Sequence, residues 1–212
     1  MREVETTSAK EQSNSIKRLD VPLIKQRPEL PTGCEGVALT MALHYYGINV
    51  DKQTIVDQMP IDTTPATRNE DGSIKTWGDP EDGFVGDPRG DGITINPNPL
   101  KQVLDQYRSG GIALYGKDFS VIQNYVASGI PVLVWFTISH EMPILRYWHT
   151  PTGKEVFAPR PLHCIVVTGV DEDYVSFNDC ESTERSGKDV KVEKEKFIRI
   201  YDTMGRRALV VS

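Results

Sequence analysis

The chain has 212 residues, a formal net charge of −6 and a sequence pI near 5.3. That length suits one domain with its own core, and the acidic balance leaves no Lys/Arg stripe for phosphates, which excludes a nucleic-acid partner and disfavours an anionic membrane. No apolar run approaches the roughly 18 residues of a spanning helix. Three cysteines without C-x-x-C pairing make neither a disulfide scaffold nor a zinc site, so the expectation is a soluble domain with no cofactor and at least one free thiol.

Residues 1–18 (MREVETTSAKEQSNSIKR) are polar and aperiodic. Too poor in apolar groups to recover the entropy of ordering, they are expected to form a mobile arm, with the folded domain spanning 19–212. They also lack the apolar segment of a secretion signal. The chain therefore either stays inside, if Met1 is its native start, or is an exported protein whose signal has been removed. Next come an extended segment, DVPLIKQ, and a Pro/Gly loop, RPELPTG. From Cys34 the run CEGVALTMALHYYG is apolar around most of a helical circumference, which predicts a buried central helix stopped by Gly47. Asp51 is placed to cap a second helix over KQTIVDQM.

The stretch from Pro60 to Pro99 is rich in Gly, Pro, Asp and Thr without regular apolar spacing, and is read as one long loop. Its segment GFVGDPRGDGI either borders a substrate cleft or is a solvated excursion. A helix beginning at Pro99 under an Asn98 cap follows, then another near 118–128 ending at Gly129. IPVLVWFTI predicts a strand covered on both faces. Residues 140–161 read as an irregular connection with a hairpin near Thr152-Gly153-Lys154. LHCIVVTGV and YVSFND then form an antiparallel hairpin about Asp171-Glu172-Asp173. A short helix near 193–202, a stop at Gly205 and a closing strand ALVV complete an α+β order.

Cys34 lies where a Pro/Gly loop enters a helix. Unpaired amides and the helix dipole there favour a thiolate and could hold an oxyanion, although a lone cysteine is as readily a small core residue. A nucleophilic cysteine needs an imidazole, itself held by a third group. Of four histidines, His44 is nearly three turns along the helix from Cys34, and His140 and His149 have no obvious fixed partner. His163 opens an apolar strand whose hairpin mate ends in Asn178-Asp179. An even register puts His163 and Asp179 on one face of that hairpin, and Cys164 with Cys180 on the other. Those two cysteines could be bridged only if directly opposed. Gln26, upstream of Cys34, offers a neutral amide donor for the oxyanion.

Gln26, Cys34, His163 and Asp179, in that chain order, resemble the site of papain-like cysteine peptidases. LDVPLIKQ, PTGCEGVALTMALHYYG, GIPVLVWFT, LHCIVVTGV and VSFND resemble, more narrowly, stand-alone relatives of the bacteriocin-processing peptidases that cut after a double glycine (a peptidase C39-like family). The resemblance implies a helical half carrying the nucleophile, packed on an antiparallel sheet half carrying base and orienter. It further implies hydrolysis of a peptide or protein substrate through a Cys-His-Asp triad, and bacterial work outside the cytoplasm or at the cell envelope. A cell-wall amidase, a transglutaminase or a non-catalytic peptide-binding module would use the same scaffold. Oligomeric state is open. Three departures stand out: the Gln26–Cys34 spacing is longer than in papain, Cys180 stands where Pro is common, and Glu35 stands where many relatives have Gly. The Glu35 carboxylate opposes a thiolate unless it points away or is paired.

Overall fold

The computed structural model describes residues 18–181 and 186–212; the arm expected over 1–18 lies, except for Arg18, outside them. The central helix α1 spans Cys34–Tyr45, and every residue from Cys34 to Leu43 is buried. Its one interior hydroxyl is satisfied, Thr40 Oγ1 donating to the Gly36 carbonyl at 2.8 Å. The helix stops as expected: Gly47 takes a φ of +77° and its N–H returns to the His44 carbonyl at 2.9 Å. Helix α2 (Lys52–Gln58) is capped by Asp51, whose carboxylate accepts from the Gln53 N–H at 2.7 Å.

These two helices meet at Gly36. A Cβ there would lie 2.6 Å from Val56 Cγ2, so the packing needs the missing side chain. Gly36→Val is expected to lose about 1–3 kcal/mol through overpacking, and thermal unfolding should show a fall of roughly 2–12 °C in Tm.

The stretch 60–99 is not one long loop. It carries β1 (Ile61–Asp62), β2 (Thr67–Arg68), β3 (Ile74–Thr76) and β4 (Phe84–Val85). Strands of two or three residues are too short to show alternation, which is why the sequence pattern hides them. Helix α3 spans Pro97–Leu104, two residues earlier than expected. Asn96 occupies the cap position without a capping bond, because its side chain is taken by Glu81 (Nδ2 to Oε1, 2.6 Å) and Arg207 (Nη1 to Oδ1, 2.7 Å). Strand β5 (Ile112–Tyr115), unassigned from sequence, precedes α4 (Phe119–Ala127) and the fully buried β6 (Val132–Thr137).

The connection 140–161 is less irregular than expected, because β7 (Tyr147–His149) and β8 (Glu155–Phe157) pair around the Thr152-Gly153-Lys154 turn. Then come β9 (Leu162–Val170), β10 (Tyr174–Asn178), β11 (Val190–Glu193), α5 (Lys194–Thr203) and β12 (Arg207–Val210). The main sheet runs β11-β10-β9-β6-β12-β5 and is antiparallel throughout. A second sheet, β2-β3-β7-β8, joins β2 and β3 to the later hairpin, while β1 and β4 pair in parallel with each other. Helix α1 packs on β6 and β9, so the N-terminus of the most buried helix abuts the strand that begins with Leu162-His163. Among the described residues no helix is long and apolar enough to cross a membrane.

Candidate active site

The hairpin of β9 and β10 sets the imidazole and carboxylate through an irregularity. Val175 pairs with Val170 and Ser176 with Gly169. After a bulge between Ser176 and Phe177, Phe177 pairs with Val167 and Asn178 with Val166. In the register before the bulge, a residue at position 179 would project from the face opposite His163. The one-residue shift reverses that parity, and Asp179, just past the strand end, reaches His163. His163 Nε2 and Asp179 Oδ1 are 2.8 Å apart, with side chains 1 % and 2 % exposed. As Asp179 is the acceptor, Nε2 carries the proton, leaving Nδ1 to accept one.

Asp179 holds a second imidazole. His140 Nε2 lies 3.1 Å from Asp179 Oδ2, and Oδ1 also accepts from the Glu181 N–H at 2.9 Å. His140 adopts a φ of +57° in the turn after β6, and its ring meets Phe177 edge-on at 5.1 Å. The expectation that His140 lacks a fixed partner is therefore corrected. Only the fold, by turning the chain back at Ser139-His140, brings it to Asp179; histidine's tolerance of the left-handed region is the one local hint. Burial alone would push the Asp179 carboxyl up, but the hydrogen bonds from His140 and His163 outweigh it and hold it far below the usual carboxylate range. The remaining histidines serve elsewhere: His44 Nε2 bonds to the Val50 carbonyl at 2.7 Å, and His149 is exposed at the end of β7.

Cys34 and His163 line one cleft of about 210 Å³, together with Gln26, Thr32, Gly92 and Ile93. Cys34 itself is buried, 5 % exposed. The segment 83–93 borders this cleft, tied down by Thr32 Oγ1 donating to the carbonyls of Asp87 (2.9 Å) and Gly90 (3.2 Å). Helix α1 has no side-chain cap at Gly33, so no capping side chain takes up the Cys34 amide at the positive end of the helix dipole.

Gln26 reaches the cleft because its loop folds back, the Leu30 N–H bonding to the Gln26 carbonyl at 3.0 Å. The longer spacing to Cys34 is absorbed in that turn. The Gln26 N–H pairs with the Cys180 carbonyl at 3.0 Å, its Oε1 accepts from Cys180 Sγ at 3.1 Å, and its Nε2 donates one hydrogen to the Pro31 carbonyl at 3.1 Å. Cys180 thus orients the glutamine. All three cysteines are free and buried, with no Cys164–Cys180 bridge.

Glu35 does not point away. Its buried carboxylate accepts from Thr94 Oγ1 at 2.5 Å through Oε1, and Cys34 Sγ lies 3.3 Å from Oε2. The resting thiol therefore donates to Glu35 and not to His163. Burial first, then the Glu35 charge, pushes the Cys34 thiol well up, and burial likewise pushes Glu35 up. Glu35→Gln removes a like charge next to the sulfur, so the pH profile of Cys34 alkylation by iodoacetamide should move to lower pH and the neutral-pH rate should rise.

A cysteine at the head of a buried helix, facing an antiparallel sheet that carries a paired imidazole and carboxylate, fits the papain-like α+β fold. The sequence profile of the peptidase C39-like family matches residues 18–209, and the chain belongs to that family. It is 34 % identical over 210 residues to the uncharacterized protein YvpB of Bacillus subtilis strain 168, covering 96 % of this chain and 79 % of that protein. A crystal structure of a Bacillus anthracis protein assigned as a C39-like peptidase superposes with a TM-score of 0.79 at 30 % identity, covering 93 % of this chain and 97 % of that one.

Proposed function

We propose that the protein is a cysteine peptidase that hydrolyses peptide bonds, with Cys34 as nucleophile, His163 as base and acid, and Asp179 holding His163 in one tautomer. The observation that carries this is the cleft shared by Cys34 and His163, with His163 clamped through Nε2 on Asp179. Rotation of the Cys34 side chain away from Glu35 would bring its proton to His163 Nδ1 as sulfur attacks the carbonyl carbon. The oxyanion is then held by the Cys34 amide and the remaining Nε2 hydrogen of Gln26. Collapse expels the amine, which takes the proton from His163 and leaves a thioester. Water, deprotonated by His163, hydrolyses the thioester and restores the thiol. The test is digestion of a defined peptide mixture followed by mass spectrometry. New C-terminal carboxylates support hydrolysis, whereas amine adducts without hydrolysis point to transamidation.

A second reading, a peptide-binding module that does no chemistry, is favoured by the thiol's bond to Glu35 and its raised pKa. Neutral-pH alkylation of Cys34 at a rate no faster than that of unfolded protein would support it.

A further inference from the structure

The wall of the cleft that leads away from Cys34 carries two guanidinium groups set side by side. Ile144 and Arg160 form an antiparallel bridge, with N–H to carbonyl bonds of 2.8 and 2.9 Å in the two directions, and the Ala158 N–H bonds to the Arg146 carbonyl at 3.0 Å. In that register Arg146 and Arg160 are diagonal neighbours on one face, where like charges repel. Among the described residues, no carboxylate pairs with either. Arg146 Nε donates to the Ala158 carbonyl at 2.8 Å, and its guanidinium carbon lies 5.8 Å from the centre of the Trp148 ring. Burial first, then the nearby Arg160 charge, lowers Arg146 to about 10.

Both arginines line the Cys34–His163 cleft and also a neighbouring hollow of about 560 Å³ that contains Arg68 and Tyr147. The one carboxylate on that hollow, Asp71, accepts the Ser73 N–H at 2.9 Å and Ser73 Oγ at 2.6 Å, both through Oδ1, and forms no ion pair with either arginine. In a chain of net charge −6, two unpaired, mutually repelling cations are held next to the candidate nucleophile. An arriving anion would relieve that repulsion and accept charge-assisted bonds in a fork geometry.

We propose that Arg146 and Arg160 form a carboxylate-binding subsite, so that the substrate is a peptide carrying a carboxylate within a few residues of the bond placed at Cys34. This rests on the peptidase reading for its reaction, but not for its binding. The carboxylate belongs to an Asp or Glu side chain or to a peptide C-terminus. The hydrophobic rim beside the arginines, Ile138, Ile144 and Leu145 at 37 %, 60 % and 54 % exposure, suits apolar residues flanking it.

The test uses Cys34→Ala protein, which cannot consume its ligand, and a positional library of octapeptides in two arms, C-terminally amidated and free. Binding is read by fluorescence anisotropy. At one position Glu should bind about tenfold tighter than Gln, with the advantage shrinking as salt rises and vanishing when Arg160→Gln or Arg146→Gln is added. Arg160 is exposed, so its variant leaves the fold intact. An advantage seen only in the free arm assigns the carboxylate to the chain terminus and supports the subsite equally. No carboxylate advantage in either arm, or one that survives both substitutions, overturns it. Wild-type protein incubated with the tightest peptides separates the two readings. An intact advantage without cleavage removes hydrolysis alone, and cleavage without an advantage removes the subsite alone.

Discussion

Cys34→Ser should lower peptide hydrolysis by roughly 10³-fold or more, because the hydroxyl cannot substitute for a sulfur that leaves its proton on an imidazole, and the loss of a nucleophile removes the covalent route entirely. Labelling by a thiol-directed peptidase inhibitor should disappear with it, while Cys164 and Cys180, both fully buried, stay unlabelled in the native protein. The fold should survive, since sulfur and oxygen are similar in size and the serine hydroxyl can keep the bond to Glu35 Oε2 that the thiol makes at 3.3 Å. Circular dichroism with steady-state kinetics would separate the two effects. Turnover retained in the variant would remove the nucleophile from Cys34.

Asp179 is the second point of largest effect, and its loss should be felt in both rate and stability. Asp179→Ala strands the Nε2 donors of His163 and His140 and the Glu181 N–H, which the carboxylate now accepts at 2.8, 3.1 and 2.9 Å. Leaving buried donors unsatisfied costs roughly 2–4 kcal/mol, or about 5–15 °C in Tm. Asp179→Asn keeps the shape and one acceptor, so it should fold better yet lose on the order of 10³- to 10⁴-fold in kcat through the wrong His163 tautomer. The pH dependence has a defined sign. Because the folded carboxyl titrates below its unfolded value of about 3.9, its contribution is present in full above that value and is lost as pH falls through the acid range toward the folded pKa. Urea unfolding followed below pH 4 should therefore weaken more steeply for wild type than for Asp179→Asn.

Much of this site is legible in the sequence because its parts obey local rules. The run from Cys34 to Tyr46 is apolar on all sides and is followed by a glycine, which is enough to place Cys34 at the head of a buried helix. Likewise LHCIVVTGV and YVSFND announce themselves as paired strands. What was hidden depends on contacts between segments. The bulge, where β9 carries Thr168 as an extra residue opposite Ser176/Phe177, is marked only by the neighbouring Gly169, yet it decides which face Asp179 takes. His140 sits in a turn with no periodicity, and nothing local connects it to a carboxylate 39 residues on. Of the strands between 60 and 99, β2 and β3 are held by a partner hairpin from 147–157 and β1 and β4 by each other, so a local window shows only their turn residues. The sequence shows Glu35 as an obstacle to a thiolate, but its pairing with Thr94, whose hydroxyl also accepts from Trp135 Nε1 at 3.2 Å, is a tertiary fact.

Sulfur, imidazole and carboxylate are proposed to act as one unit, with Asp179 contributing to chemistry only through His163. A double-mutant cycle in kcat/KM on a cleaved peptide, using His163→Ala, Asp179→Asn and the pair, tests this directly. Groups that act as a unit give non-additive losses, so the double variant should be no slower than His163→Ala alone. Losses that multiply across the pair, or a His163→Ala enzyme as fast as wild type, would contradict it.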